Sequence, residues 1–433
     1  MNDFLTMEYS ISIEMLILVT LFTMICASIA IKAASNQLKK IFFTLIYISY
    51  YVYSGIGISI MNDGELYLSY YVIYTIVFTF FLKYTEGKTI RPRFTEKNLM
   101  QFMERYGNFI IYFYFALSLV GLIFPENKLM LLFSPPIMDR SLIDDMLRGI
   151  EVITPLQSIV RLISNILAPF FYFCLFKYRY KYISLFILLF LPLYFSYCST
   201  AYVSRTQILM NLIFYIAIIL YYDTKHRKAI IIGCCFFFIT LIPLMAAFVE
   251  LRQGRGEIDL NSFTDSIDGL FRIEGTFPLW FEDIYKNALS ETYSWNYILY
   301  IVFQPIPGFL KHPLIGNFQV NYSIGELLLN MDILDEDFFV PLSGIIGESV
   351  FIFGHYFFFL HAIICAYIIN LSSNFFKGFQ PFSIIFLFVI CYSGLVFGRA
   401  GTTGGSFYPF LIKAVFYINL VLYFSKRTKL YKK

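Results

Sequence analysis

Residues 229–256 read AIIIGCCFFFITLIPLMAAFVELRQGRG. The first 21 carry no charge. At a helical rise of about 1.5 Å per residue they reach about 30 Å, the depth of a hydrocarbon layer. Glu250 then opens a polar segment that runs to Ser343, 94 residues in all. Working outward, stretches of the same apolar kind fall at 11–31, 41–60, 66–82, 108–124, 156–176, 182–198, 201–222, 344–370, 382–398 and 408–424. None alternates with the period of two that a membrane β-barrel needs, so each predicts a helix. The expected fold is all-α: a polytopic membrane protein of about eleven transmembrane helices. It comprises helices 1–8 over 1–249, a large outer segment over 250–343, and helices 9–11 with a basic tail over 344–433.

Composition agrees, with 58% hydrophobic and only 14% charged residues among 433. A water-soluble fold of this size would lack polar surface. Residues 1–10 hold Asp3 and Glu8 but no Lys or Arg, which is not the basic start of a signal peptide, so the first stretch is read as a span. The seven cysteines all fall in predicted spans without a CxxC pair, so neither a disulfide framework nor a thiolate metal site is expected.

Charge orients the bundle. Connections 32–40, 83–107, 177–181, 223–228, 371–381 and 425–433 hold 21 Lys and Arg. The alternate set holds 10, in more than twice the length. By the positive-inside rule the first set is cytoplasmic, with the N-terminus and residues 250–343 outside. The outer cations are mostly Arg (Arg140, Arg148, Arg205, Arg252, Arg255, Arg272 and Arg399), whereas Lys prevails inside. The guanidinium fork suits bidentate contact with phosphate, and this bias points to an anionic ligand on the outer face.

Several residues are singled out as a candidate site. Arg205 sits at the outer start of a helix, where a cation opposes the dipole unless an anion is shared with the helix N-terminus; an interfacial snorkelling Arg is the plainer alternative. Arg399 lies in the glycine-rich stretch Gly398-Arg399-Ala400-Gly401-Thr402-Thr403-Gly404-Gly405, with backbone suited to an anion nest or to a simple hairpin. Arg255 stands between two glycines, Arg252 suits a helix C-terminus, and Arg272 completes the set in the long outer segment. Arg161, inside a span, must line a cavity or pair with a carboxylate. Two bases are considered. Glu348 enters the ninth span on one helical face with His355, beside Gly344, Gly347 and Gly354. His312 is the histidine of the outer segment.

That outer segment also carries fourteen Asp and Glu against five Lys and Arg, which implies a largely solvated face. Residues 262–271 predict an amphipathic helix on the membrane plane, and Trp280 and Trp295 suit interface anchoring. No metal-ligand spacing, nucleotide loop, nucleophile elbow or repeat is present, so neither metal nor cofactor is expected.

Ser204-Arg205-Thr206 opening a helix, Pro305-Ile306-Pro307 with Lys311-His312-Pro313, and Gly347-Glu348-Ser349 running into Phe353-Gly354 form an ordered set. In this order of features the chain resembles the bacterial O-antigen and capsule repeat-unit polymerases of the Wzy type, over about 196–424; residues 1–150 match in hydropathy only. The resemblance implies a glycosyltransferase with a GT-C-like scaffold in the bacterial inner membrane. Its donor and acceptor would be undecaprenyl-diphosphate-linked oligosaccharides at the periplasmic face, with membrane lipid around it and no nucleic acid. A flippase and a chain-length regulator of the same pathway are the expected partners. Taken with the reading of the individual residues, the expected site has Arg205, Arg399, Glu348 and His312 as catalytic, and Arg255, Arg252, Arg161 and Arg272 as substrate-binding. The Arg-x10-Gly pattern described for some members is missing from the outer Arg set. An O-antigen ligase shares this architecture; a lipid-oligosaccharide flippase is the alternative of a different class, against which the long outer segment counts.

Overall fold

The computed structural model describes residues 12–61, 64–87, 96–124, 127–136, 155–200, 205–222, 277–287, 293–306, 320–331 and 343–375. It also describes 228, 232, 233, 394, 397–399, 401, 402, 408–413, 415–417, 419, 420 and 423. Among the described residues there is no strand. Five helices among the described residues are long and apolar enough to cross a membrane: Ile13–Ala33, Gln37–Ile60, Gly64–Tyr84, Met100–Ile123 and Tyr182–Ser199.

The chain divides into two compact units. The first gathers Met1–Arg91, Asp268–Gly378 and Val389–Phe416. It contains α1 (Ile13–Ala33), α2 (Gln37–Tyr50, continued by tighter and wider turns to Ile60) and α3 (Gly64–Tyr84). The second gathers Pro92–Ile267, Phe379–Phe388 and Tyr417–Lys433. It contains α4 (Glu96–Ile123), α5 (Pro155–Leu175), α6 (Tyr182–Thr200) and α7 (Arg205–Tyr222). In that unit α4 packs on α5 and α6; Tyr114 stacks on Phe171, and Tyr172 donates to Asn211, whose amide reaches the Leu189 carbonyl of α6.

Local chemistry sets the helix starts. Ser12 accepts from the Met15 N–H to cap α1, and Asn36 does the same from Lys39 for α2. The polarity of the first unit is then inverted relative to a water-soluble bundle. On α3, Tyr67, Tyr71, Tyr74, Thr75, Phe78, Thr79 and Leu82 recur at helical spacing and are buried, while Ile73, Ile76 and Phe80 are exposed. Ile17, Leu21, Met24 and Ile25 of α1 are exposed likewise. In lipid, aliphatic association gains nothing, so inward hydroxyls do the joining. Thr23 meets the Tyr71 hydroxyl at 2.7 Å, Tyr47 meets Thr79 at 2.6 Å, and Tyr50 meets Thr75 at 2.8 Å.

The remaining elements of this unit are α8 (Phe281–Asn287), α9 (Ser294–Val302), α10 (Val320–Leu329), α11 (Gly344–Phe357) and α12 (Phe359–Phe375). Residues 344–370 are expected as one straight span, and here the structure differs. Gly354 adopts φ 72° and ψ −179°, a backbone open in practice only to glycine, and the helix breaks. Glu348 and His361 show how sharply. Thirteen residues apart on one straight helix they would be separated by about 19 Å, yet their side chains approach to 3.7 Å.

Heights along α2 and α3 fix how α11 lies. Lys39 and Leu82 mark one end, where Lys39 forms an ion pair with Glu86 and donates to Asn370 of α12 at 2.9 Å. Asn370 in turn donates to the Leu82 carbonyl and to Thr85, both at 2.7 Å. Gly344 faces Tyr53 and Ser54, about 22 Å above Lys39 on the α2 ruler. His355, at the other end of α11, meets Tyr70, about 18 Å above Leu82 on the α3 ruler. Helix α11 therefore lies across the bundle instead of spanning it, and every residue from Gly344 to Gly354 is buried. Only α12 runs on down to the Lys39 end. The expected pairing of Glu348 with His355 on one face is lost, because the break at Gly354 turns His355 toward Tyr70 and Tyr285.

The described parts of 250–343 close around this lying helix. Phe281 of α8 packs edge-on against Tyr67, Ile284 meets the bare face of Gly347, and the Tyr293 N–H donates to the Ile352 carbonyl.

Candidate functional site

Glu348, carried by α11, is wholly buried. Its carboxylate is held by one residue of the glycine-rich stretch: the Thr402 N–H donates to Oε2, and the Thr402 hydroxyl donates to Oε1 at 3.1 Å. His361 Nε2 stands 3.1 Å from the same hydroxyl, and His361 Nδ1 stands 2.9 Å from the Tyr74 hydroxyl. An ionised carboxylate only accepts, which directs the chain of protons. Tyr74 donates to His361 Nδ1, His361 Nε2–H donates to Thr402, and Thr402 donates to Glu348. Tyr297 of α9 reaches the Thr402 hydroxyl at 3.0 Å and also bonds to Tyr408, whose hydroxyl is 3.4 Å from Cys365. All of these side chains are at most 1% exposed.

The turn that supplies Thr402 has room for no other sequence at two positions. Gly401 has φ 65°, and a Cβ there would lie 2.0 Å from Glu348 Oε2. At Gly398 a Cβ would lie 2.5 Å from the Ser49 carbonyl oxygen, and its N–H donates to Ser49 Oγ at 3.1 Å. Gly394 presses against Leu45 in the same way, so Gly394 and Gly398, a small-xxx-small pair, both lie close to α2. The anion that Thr402 holds is thus the chain's own Glu348.

A scan against family models, a search of curated proteins and a search of solved structures each find no match to this chain.

The structure distributes the expected site residues as follows. Arg399 is exposed on the turn, in the first unit. Arg205 is the first residue of α7, in the second unit, and its side chain is outside the described residues, as is that of Arg161 in α5. Arg252, Arg255, Arg272 and His312 lie outside the described residues, as does the amphipathic stretch 262–271. Trp295 is exposed on α9, and Trp280 closes the short turn before α8. Sequence reasoning singled out Glu348 but missed His361, Tyr74, Tyr297 and Thr402. One signal was available: His361 and Cys365 place polar groups at an i, i+4 spacing within an otherwise apolar stretch, a pattern that hydropathy averages away.

Proposed function

We propose that this chain is an inner-membrane glycosyltransferase that polymerises undecaprenyl-diphosphate-linked oligosaccharide repeat units at the periplasmic face. In this reading it has about eleven spans, with the N-terminus outside and the C-terminus in the cytoplasm. The observation that carries it is an exposed arginine, Arg399, on a glycine turn anchored deep in an apolar bundle. A guanidinium exposed on such a turn is suited to bidentate contact with a phosphate. The biased supply of outer Arg residues and the long segment 250–343 support the same reading.

In the reaction, an acceptor hydroxyl at the non-reducing end attacks the anomeric carbon of the donor's reducing-end sugar. The carbon–oxygen bond to the lipid diphosphate breaks, and the diphosphate leaves with the electron pair. Arg399 stabilises the charge gathering on it, and Arg205, Arg255, Arg252, Arg161 and Arg272 are the further cations that the sequence assigns to the substrates. Glu348 is buried with both oxygens engaged by Thr402, and the base in this reading is His312, which takes the hydroxyl proton. A flippase supplies the substrate, and a chain-length regulator acts on the product.

The experiment is polymer formation by purified protein supplied with the lipid-linked oligosaccharide. A guanidinium bridges two phosphate oxygens and an ammonium does not. Arg205→Lys and Arg399→Lys should therefore each lower turnover by about 10²-fold. Near-normal turnover in both would remove the diphosphate site from this proposal.

A further inference from the structure

The turn from Gly398 to Thr402 is clamped at both ends and bears its cation in the middle. At one end, Gly398 is pressed onto the backbone of Ser49 and donates its N–H to the Ser49 hydroxyl. At the other, Thr402 gives both its N–H and its hydroxyl to Glu348, and the bare Cα of Gly401 is what allows the carboxylate so close. Arg399 lies between these two points and is exposed, while Glu348, Thr402 and Gly398 are buried. Ser49 stands ten residues along α2 from the Lys39 end, so the turn sits about 15 Å up the bundle. That is half the depth of a hydrocarbon layer. Non-helical backbone at such depth is tolerated where protein buries it or water reaches it. Here Gly398, Gly401 and Thr402 are buried by protein and Arg399 is exposed.

Glu348 is too deeply enclosed to touch a substrate, and both its oxygens are engaged by the residue that closes the turn. We propose that Glu348 is a positioning residue. By gripping Thr402 it fixes the Gly398–Thr402 turn, and through it Arg399, at mid-depth against a phosphate group. Ser49 completes the clamp from α2. The proposal rests on the diphosphate reading given above, but its binding readout is independent of polymer formation.

The test compares Glu348→Ala, Glu348→Gln, Ser49→Ala and Arg399→Ala in purified protein. One readout is affinity for undecaprenyl diphosphate, with inorganic pyrophosphate as competitor; the other is kcat and KM with the lipid-linked oligosaccharide. A glutamine keeps an oxygen for the Thr402 N–H and offers an amide to the Thr402 hydroxyl, so the clamp survives it. Glu348→Ala releases the turn. The expected result is a loss of about 10-fold or more in undecaprenyl diphosphate affinity for Glu348→Ala, similar to Arg399→Ala. Glu348→Gln should recover most of both affinity and turnover. Ser49→Ala, a mild change on a helix that remains otherwise intact, should weaken binding in the same direction, which keeps the test open if Glu348→Ala does not fold. Competition by pyrophosphate that disappears in Arg399→Ala supports recognition of the phosphates by the turn.

Glu348→Gln that binds normally but loses turnover 10²-fold would mark Glu348 as a proton acceptor and overturn the proposal. So would Glu348→Ala and Ser49→Ala proteins that both bind like wild type, or a wild-type protein that binds neither probe. A wild-type protein that binds undecaprenyl diphosphate through this clamp yet makes no polymer would instead refute the polymerase reading and leave the clamp standing.

Discussion

Replacing Lys39 by methionine should destabilise the first unit by about 3 kcal/mol, the low end of the range for breaking a buried ion pair. The side chain is 0% exposed and its partner Glu86 is 12% exposed, so removing the ammonium leaves a carboxylate with little access to water. Glu86 keeps one donor, the Ser35 N–H at 3.0 Å, and this together with its partial exposure holds the cost to the lower end. Asn370 loses the cation at its Oδ1, while its amide stays satisfied by Leu82 and Thr85. Methionine fills the volume, so the loss reports charge and not a cavity. Adding Glu86→Gln should recover at least about 2 kcal/mol, because the unpaired charge is then gone. The assay is reversible unfolding in mixed micelles by SDS titration, for wild type, both single variants and the double. A Lys39→Met protein within about 1 kcal/mol of wild type, or a double variant no more stable than Lys39→Met alone, would refute the reasoning.

Gly354→Ala should cost about 1–3 kcal/mol in the same assay, since φ 72° with ψ −179° is a region that other residues enter only under strain; an unchanged midpoint would mean that α11 and α12 do not need the break. Cysteines placed at Asp259 and Lys426 should react and stay silent, respectively, with an impermeant thiol reagent in intact cells. Labelling at 426 would reverse the topology that the charge count implies.

Much of the helical fold was legible because hydropathy and length are averages over about twenty residues, and seven stretches, from Ile13–Ala33 to Arg205–Tyr222, fold as helices at or near the expected places. The ninth was misread as straight because its break is one dihedral at Gly354, and a glycine in an apolar run gives no sign of whether its φ will be positive. Glu348 was visible as a carboxylate in an apolar helix. Its partner was not, because the pairing of Glu348 with His361 exists only once α11 has folded back, whereas helical spacing alone points to His355. The stretch 398–405 was open to reading as an anion nest or as a simple hairpin; that Thr402 binds a carboxylate of the chain itself depends on a contact 54 residues away in sequence.

The lying helix α11 has a consequence for the order of assembly. Its surroundings come from the chain at Tyr53 and Ser54, at Ile284, at Tyr293 and at Thr402. The first unit is likewise discontinuous, with residues 92–267 synthesised between its parts. Helices α1 to α3 can pair as soon as they leave the ribosome, because their hydroxyl contacts are mutual. The socket for α11 is not complete until the segment carrying Gly394 to Thr402 has been inserted. A nascent chain halted before residue 394 therefore holds Glu348 without its Thr402 partner, and the socket closes only once the residues up to Thr402 have been made.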